Sequence, residues 1–360
     1  MPPIPQAALT TPAEIFSLTR ELVDIESVTG GEGRVGEAIE RRLRALDAGG
    51  GERGGRGGVV ERMAVGEDCA AGAGRFNLFA AWGEPAVVLS THMDTVPPFF
   101  PSAEDGEHIH GRGACDAKGA IAAMLAAAAR LLDEGLRGFG LLLVVGEETD
   151  SAGAEAANRV PRGARFLIDG EPTENRLAVG SKGALYLAVE AAGRAAHSAY
   201  PELGESAIDL LLDALGRLRQ VPLPASPDLG ETTLNSGTLA GGRAPNVVAD
   251  RARAEVMVRT VGDTARLRRD LLAALPPAVA AEVREVPAMR LRTVPGFATT
   301  TVKFTTDIPR LTAWGEPLLL GPGSIHDAHT AGERVAKSQL LEAVDLYAEL
   351  VRRLLREEVP

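Results

Sequence analysis

Apolar residues fall along the first half of the chain in short unbroken runs, separated by longer stretches of mixed character. Thr11, Pro12 and Glu14 supply an N-cap, a proline in the first turn and a glutamate three residues beyond the cap, which predicts a helix over 11–24. Runs at 86–89, 140–145 and 165–168 predict buried strands, and the alanine-rich stretch 119–136 predicts a helix. Short apolar strands alternating with helices indicate an α/β domain with a mostly parallel sheet. The glycine tract 49–58 follows a helix and lacks the spacing of a phosphate-cradling loop, so it reads as a flexible connection.

From about residue 179 the pattern changes. Strands are predicted over 185–192, 232–240, 252–260 and 280–286, with helices over 206–219 and 264–275. The order β-α-β-β-α-β is that of a ferredoxin-like α+β domain. Beyond Pro287 the chain returns to the first domain, with a strand over 318–320 and a last helix over 337–357. The expected organisation is a first domain of residues 1–178 and 292–360, interrupted by an insertion of residues 179–291.

With 360 residues, 45% of them hydrophobic, the chain can fill two cores. Its formal charge of −11 argues against a nucleic-acid or anionic-membrane partner. Two cysteines, Cys69 and Cys115, make neither a disulfide framework nor a Cys-x-x-Cys site, which fits a reducing compartment. The N-terminal stretch has no basic segment followed by an apolar one, and no apolar run approaches the ~20 residues of a membrane span. A cytoplasmic protein is expected.

Polar residues with chemical potential gather where the apolar runs stop. After 86–89 come His92 and Asp94, two apart and so on one side of an extended segment. Open α/β sheets place their sites at such strand ends. Asp116 lies in GRGACDAKG (111–119), a glycine-punctuated turn where backbone can approach a ligand. Glu147 and Glu148 follow the strand LLLVV, and adjacent carboxylates with nothing nearby to neutralise them suggest a cation. Asp169 and Glu171 end the next strand, and GPGSIHDAHT (321–330) offers His326 and His329. Two histidines with three or four carboxylates form the ligand set of a two-metal hydrolytic site. Cys115 reads as a small buried thiol, and His108 and His110 receive no role.

Taken together, STHMDTVP, GRGACDAKG, GEE, GEPT and GPGSIHDAHT resemble, in order and spacing, the motifs of the zinc aminoacylase/carboxypeptidase superfamily that includes acetylornithine deacetylase, succinyl-diaminopimelate desuccinylase and carboxypeptidase G. The resemblance covers essentially the whole chain. It implies two divalent metal ions, zinc with cobalt as a substitute, held by His92, Asp116 as the bridge, Glu148, Glu171 and His329. It favours His329 over His326 through the pattern Ala-His-Thr, and Glu171 over Asp169 through Gly-Glu-Pro. Asp94 would orient the His92 imidazole, and Glu147 would be the general base acting on a metal-bridging water.

The same resemblance reads the insertion as a lid and dimerisation domain. His197, in GRAAHSAYP (193–201), would donate to the oxyanion. Asn246, in GGRAPNV (241–247), and Arg259, in VMVR (256–259), would contact the substrate, the arginine fork pairing with its carboxylate. The implied activity is cleavage of an N-acyl amino acid, most like the deacetylases of ornithine or lysine biosynthesis. A desuccinylase, dipeptidase or carboxypeptidase is the alternative, and a non-catalytic metal-dependent binding protein a third reading. Expected partners are a small-molecule substrate and a second copy of the chain.

Overall fold

The computed structural model describes residues 9–48, 56–66 and 75–357. Cys69 and most of the glycine tract 49–58 lie outside the described residues. The chain divides into two units, the first of Met1–Ala178, Leu291–Thr300 and Thr306–Pro360, the second of Val179–Arg290 and Thr301–Thr305. The short stretch Thr301–Thr305 groups with the second unit because its groups bond there: Lys182 N–H donates to the Val302 carbonyl at 3.3 Å, and the Thr301 hydroxyl to the Asp228 carbonyl at 2.8 Å.

The first unit begins with helix α1 (Pro12–Val23), whose capping box between Thr11 and Glu14 is formed as the sequence predicts. Helix α2 (Gly33–Ala48), strands β1 (Val59–Ala64) and β2 (Phe76–Trp82), and strand β3 (Val87–His92) follow. Helix α3 (Lys118–Asp133) is shorter than expected. It stops because Gly135, at φ +78°, turns the chain left-handed and lets the Gly135 and Leu136 N–H groups close on Leu132 and Leu131. Strand β4 (Phe139–Val144), helix α4 (Ala152–Asn158) and strand β5 (Phe166–Asp169) complete the segment before the insertion.

The second unit has strand β6 (Gly183–Ala192), helix α5 (Ala207–Leu218), strands β7 (Thr233–Gly241) and β8 (Arg251–Thr260), helix α6 (Thr264–Ala274) and strand β9 (Val279–Val286). Its sheet order is β7-β8-β6-β9, with every pairing antiparallel, which is the ferredoxin-like arrangement. Alternate residues of β6 and β8, among them Leu185, Leu187, Val256 and Val258, are buried with Leu211, Leu215, Leu267 and Leu271 of the two helices. The opposite face of the sheet carries exposed charged residues such as Glu190, Arg253 and Glu255, beside the half-buried Tyr186 and Met257.

The chain then supplies strand β10 (Glu316–Leu319) and helix α7 (Lys337–Arg356) to the first unit. The six-stranded sheet there runs β1-β2-β4-β3-β5-β10. Strands β4, β3, β5 and β10 are mutually parallel, while β1 and β2 join antiparallel at one edge. The fold class is therefore the expected α/β one with a ferredoxin-like insertion, and the antiparallel edge is an addition to the predicted sheet. Helix α3, buried along nearly its whole length, packs against α7 in the principal core. The Tyr347 hydroxyl donates from α7 to the Leu320 carbonyl at 2.9 Å, fixing the chain just past β10. Among the described residues no helix is long and apolar enough to cross a membrane.

Gly315 marks where the turn into β10 allows no side chain. At φ +99°, a Cβ there would sit 2.4 Å from the Arg165 carbonyl carbon, and that backbone is itself bonded to Ala86. Gly315→Ala is expected to destabilise the protein by more than about 1 kcal/mol and to lower its thermal midpoint by at least about 2 °C. An unchanged midpoint in a calorimetric scan would show that the turn relaxes without cost.

Candidate metal centre and active site

The parallel strands deliver the candidate residues from their C-terminal ends. His92 is the last residue of β3, Glu147 and Glu148 follow β4, Glu171 follows β5, and His329 lies in the turn after β10. Asp116 enters from the loop before α3. The fold rule for open sheets thus accounts for why residues far apart in sequence meet here.

Asp116 stands at the centre, and its two carboxylate oxygens face different histidines. Oδ1 is 2.9 Å from Nε2 of His92, and Oδ2 is 3.3 Å from Nε2 of His329. Nε2 of His329 is also 3.0 Å from Glu148, and Nε2 of His92 is 3.8 Å from Glu171. Ligand atoms of His92, Asp116 and Glu148 lie within 4.8 Å of one another. His329 holds its place in a left-handed conformation, φ +62°, a strained state for a non-glycine residue and one that concentrates at functional sites.

The electrostatics show a cluster short of positive charge. Burial would pull the His92 imidazole down, but Asp116, Asp94 and Glu171 outweigh it and hold its pKa well above the ordinary value. Contacts with Asp116 and then Glu148 push His329 up to about 10. Burial, then the charge of Asp116, raises Glu171 well above the usual carboxylate range. Burial raises Glu147 strongly as well, with Asp307, Glu148 and Asp116 adding to it against the pull of His92. Burial opposes the ionisation of Asp116, yet its bonds to His329 and His92 keep it below the usual range. Imidazoles drawn towards protonation and carboxylates forced together are what divalent cations would relieve, and imidazole with carboxylate is a donor set suited to zinc. The residues present fit a two-cation centre.

Asp94 acts over a wider reach than expected. Nδ1 of His92 lies 3.0 Å from the Asp94 main-chain carbonyl and 3.4 Å from its carboxylate, so the main chain is the nearer support of the imidazole. The carboxylate itself accepts the N–H groups of Gly146, Glu147 and Glu148, at 3.0, 3.2 and 3.2 Å. It also accepts the Thr29 hydroxyl at 2.7 Å. Asp94 therefore sets the backbone that carries both glutamates, and Thr29 is a participant that sequence reasoning missed.

The open alternatives separate by position. Asp169 forms no ion pair with a histidine among the described residues: it is buried, and burial followed by the Asp307 charge, against the pull of His92, pushes it up to about 7. Asp307, also missed in the sequence, is raised to about 6 chiefly by burial. His326 is exposed and its side chain makes no hydrogen bond among the described residues, whereas His329 meets Asp116 and Glu148. Cys115 is buried, its thiol donating to the Ser324 carbonyl at 3.3 Å, and burial followed by the Asp116 charge raises its pKa. His108 and His110 pair with Asp105 on a small sheet.

His197, Asn246 and Arg259 belong to the second unit, where the first two share one loop region. His197 and Val247 form an isolated bridge, and the Ser198 N–H donates to the Asn246 carbonyl at 3.1 Å. Both side chains are exposed. Arg259 lies on β8, with its Nη1 buried and without a hydrogen-bond partner.

A hydrolase architecture is the class that this fold and constellation define. The chain matches peptidase family M20/M25/M40 over residues 88–353 and belongs to that family. It is 38% identical over 363 residues to a peptidase M20 domain-containing protein of Schizosaccharomyces pombe, covering 98% of this chain and 87% of that one. It is likewise 38% identical over 385 residues to a probable carboxypeptidase of Aspergillus oryzae, covering 95% and 87%. Similar solved structures include a tripeptidase from Staphylococcus aureus, with a TM-score of 0.80, 21% identity and coverage of 97% and 100%. A dinuclear metal-binding M20 peptidase from Bacillus subtilis has a TM-score of 0.67, 16% identity and coverage of 96% and 98%. These structures share the fold.

The two histidines of the last turn give a direct test. His329→Ala should reduce bound zinc by about one ion per chain, while His326→Ala should keep the full complement, both read by elemental analysis of protein purified without chelator. The reverse pattern would transfer the ligand role to His326.

Proposed function

We propose that the chain hydrolyses the amide bond of a small substrate bearing a free carboxylate, an N-acyl amino acid or short peptide, with two divalent metal ions held by His92, Asp116, Glu148, Glu171 and His329. The observation that carries this reading is Asp116, with one carboxylate oxygen towards each histidine. Such ions, zinc or cobalt in its place, polarise a carbonyl and lower the pKa of water to about 7 when bound. Glu147 is the general base: it takes a proton from the attacking water and returns it to the leaving amine. Its backbone, fixed by Asp94, suits that task. His197 donates to the developing oxyanion, and Asn246 and Arg259 bind the substrate, the buried, unpartnered Nη1 of Arg259 being free to meet a carboxylate.

Two substrate classes have specific support. The names of relatives such as the Aspergillus oryzae probable carboxypeptidase favour a peptide with a free C-terminus. The GEPT and GPGSIHDAHT segments favour an N-acetyl-ornithine- or N-acetyl-lysine-like substrate. A purely binding protein would have no use for Glu147. Glu147→Gln is expected to keep both metals and lower turnover by on the order of 10³-fold or more. A ninhydrin screen of N-acetyl and N-succinyl amino acids and of dipeptides, run on wild type and variant, reads both substrate class and base. Near-normal turnover in the variant would remove Glu147 from the mechanism.

We further propose that the second unit pairs two chains and that His197 serves the partner's site. Strand β7 is an open sheet edge, and Leu239 on it and Leu212 on α5 are 51% and 53% exposed. Glu147→Ala and His197→Ala chains, dissociated and reassociated together, should then regain roughly a quarter of wild-type sites, since one site in each mixed dimer carries no defect. An inactive mixture, with exchange of chains verified, would assign His197 to its own chain.

A further inference from the structure

The segment that brings His329 into the cluster runs on to Glu333, a carboxylate buried to 1% exposure. Its Oε1 accepts three backbone N–H groups from the loop before α3: Gly113 at 2.9 Å, Cys115 at 3.2 Å and Asp116 at 3.2 Å. Its Oε2 pairs with the buried guanidinium of Arg112. The main-chain carbonyl of Glu333 accepts the Gly111 N–H at 3.0 Å. Residues 111–116 are thus wrapped around one side chain contributed by a segment more than 200 positions away.

The loop has other backbone bonds, from Arg112 to the Phe100 carbonyl at 3.2 Å, Ala114 to Gly111 at 3.0 Å and Lys118 to Gly113 at 2.8 Å, but none of these three engages the Asp116 amide. Gly111 and Gly113 adopt positive φ, and α3 begins at Lys118 with no side-chain cap. Yet Asp116 must present Oδ1 to His92 and Oδ2 to His329 together, a demand that tolerates little rotation of its backbone. We infer that Glu333 is a positioning residue for the metal centre: by fixing the amides of Gly113, Cys115 and Asp116 it aims the bridging carboxylate, and it ties that carboxylate to the turn bearing His329. The inference rests on the proposed role of Asp116 as a metal ligand. A residue that only stabilised the fold would affect the metal-free protein and leave metal affinity alone.

Two variants separate these roles. Glu333→Gln keeps an acceptor for the amides but turns an amide NH2 towards Arg112. Glu333→Asp keeps the charge and withdraws the oxygen by one methylene. Zinc affinity, measured by competition with a chromogenic chelator, should fall about 10- to 100-fold in each, and the visible absorption spectrum of the cobalt-loaded protein should change. The zinc-induced rise in thermal midpoint should shrink accordingly. If Glu333→Gln does not fold, Glu333→Asp carries the same test. Wild-type affinity and an unaltered cobalt spectrum, beside a lowered midpoint of the zinc-free protein, would overturn the inference alone. A wild-type chain that takes up no zinc would overturn the metal centre and this inference with it.

Discussion

The site depends on one kind of contact, a buried carboxylate oxygen gathering several backbone N–H groups. Asp94 does this for Gly146, Glu147 and Glu148, and Glu333 for Gly113, Cys115 and Asp116. Loops at strand ends have no ladder to satisfy their amides, and an unpaired buried amide costs about 1–3 kcal/mol. A charged acceptor forms stronger bonds than a neutral one, so a single carboxylate can fix a three-residue turn. The consequence is that the loops bearing Glu148 and Asp116 are held by side chains outside the set of candidate ligands.

The parallel half of the fold was legible because its strands are short continuous apolar runs bounded by turns. The antiparallel edge was not. FNLFAAW in β2 is wholly buried, so it shows no alternation, and a run of that length cannot be told from a helix segment by periodicity. VVERMA in β1 has only Met63 buried and no apolar face to mark it. In the second unit β6 and β8 alternate buried with more exposed positions, which marks both as strands, and their order followed from the succession β-α-β-β-α-β.

The candidate ligands stood out because each occurs where an apolar run ends, and local sequence records that. Their supports did not. Thr29 meets Asp94 from 65 positions away, and Glu333 meets the Asp116 loop from 217 to 220 positions away, with no local spacing to signal either. The expectation for Asp94 was incomplete for the same reason. Two residues of separation indicated a link to His92, but the three amides after β4 become neighbours only when β3 and β4 pair.

All five proposed metal ligands, Glu147 and Asp94 lie in the first unit, while His197, Asn246 and Arg259 lie in the second. The demands on the two sets differ. Metal ligands must satisfy a fixed coordination chemistry; His92 ends a paired strand, and the loops bearing Glu148 and Asp116 are held by Asp94 and Glu333. Substrate contacts need only match a carboxylate and whatever side chain accompanies it. If β8 and the loops near His197 and Asn246 carry the substrate contacts proposed above, substitutions there can alter that match without changing any proposed ligand. A family with this division can hold its hydrolytic chemistry constant while its substrates diverge, because function is carried by sites and not by the fold as a whole. For this chain, the motifs at the strand ends account for the candidate ligands alone, so what the second unit contributes has to be read from its own residues.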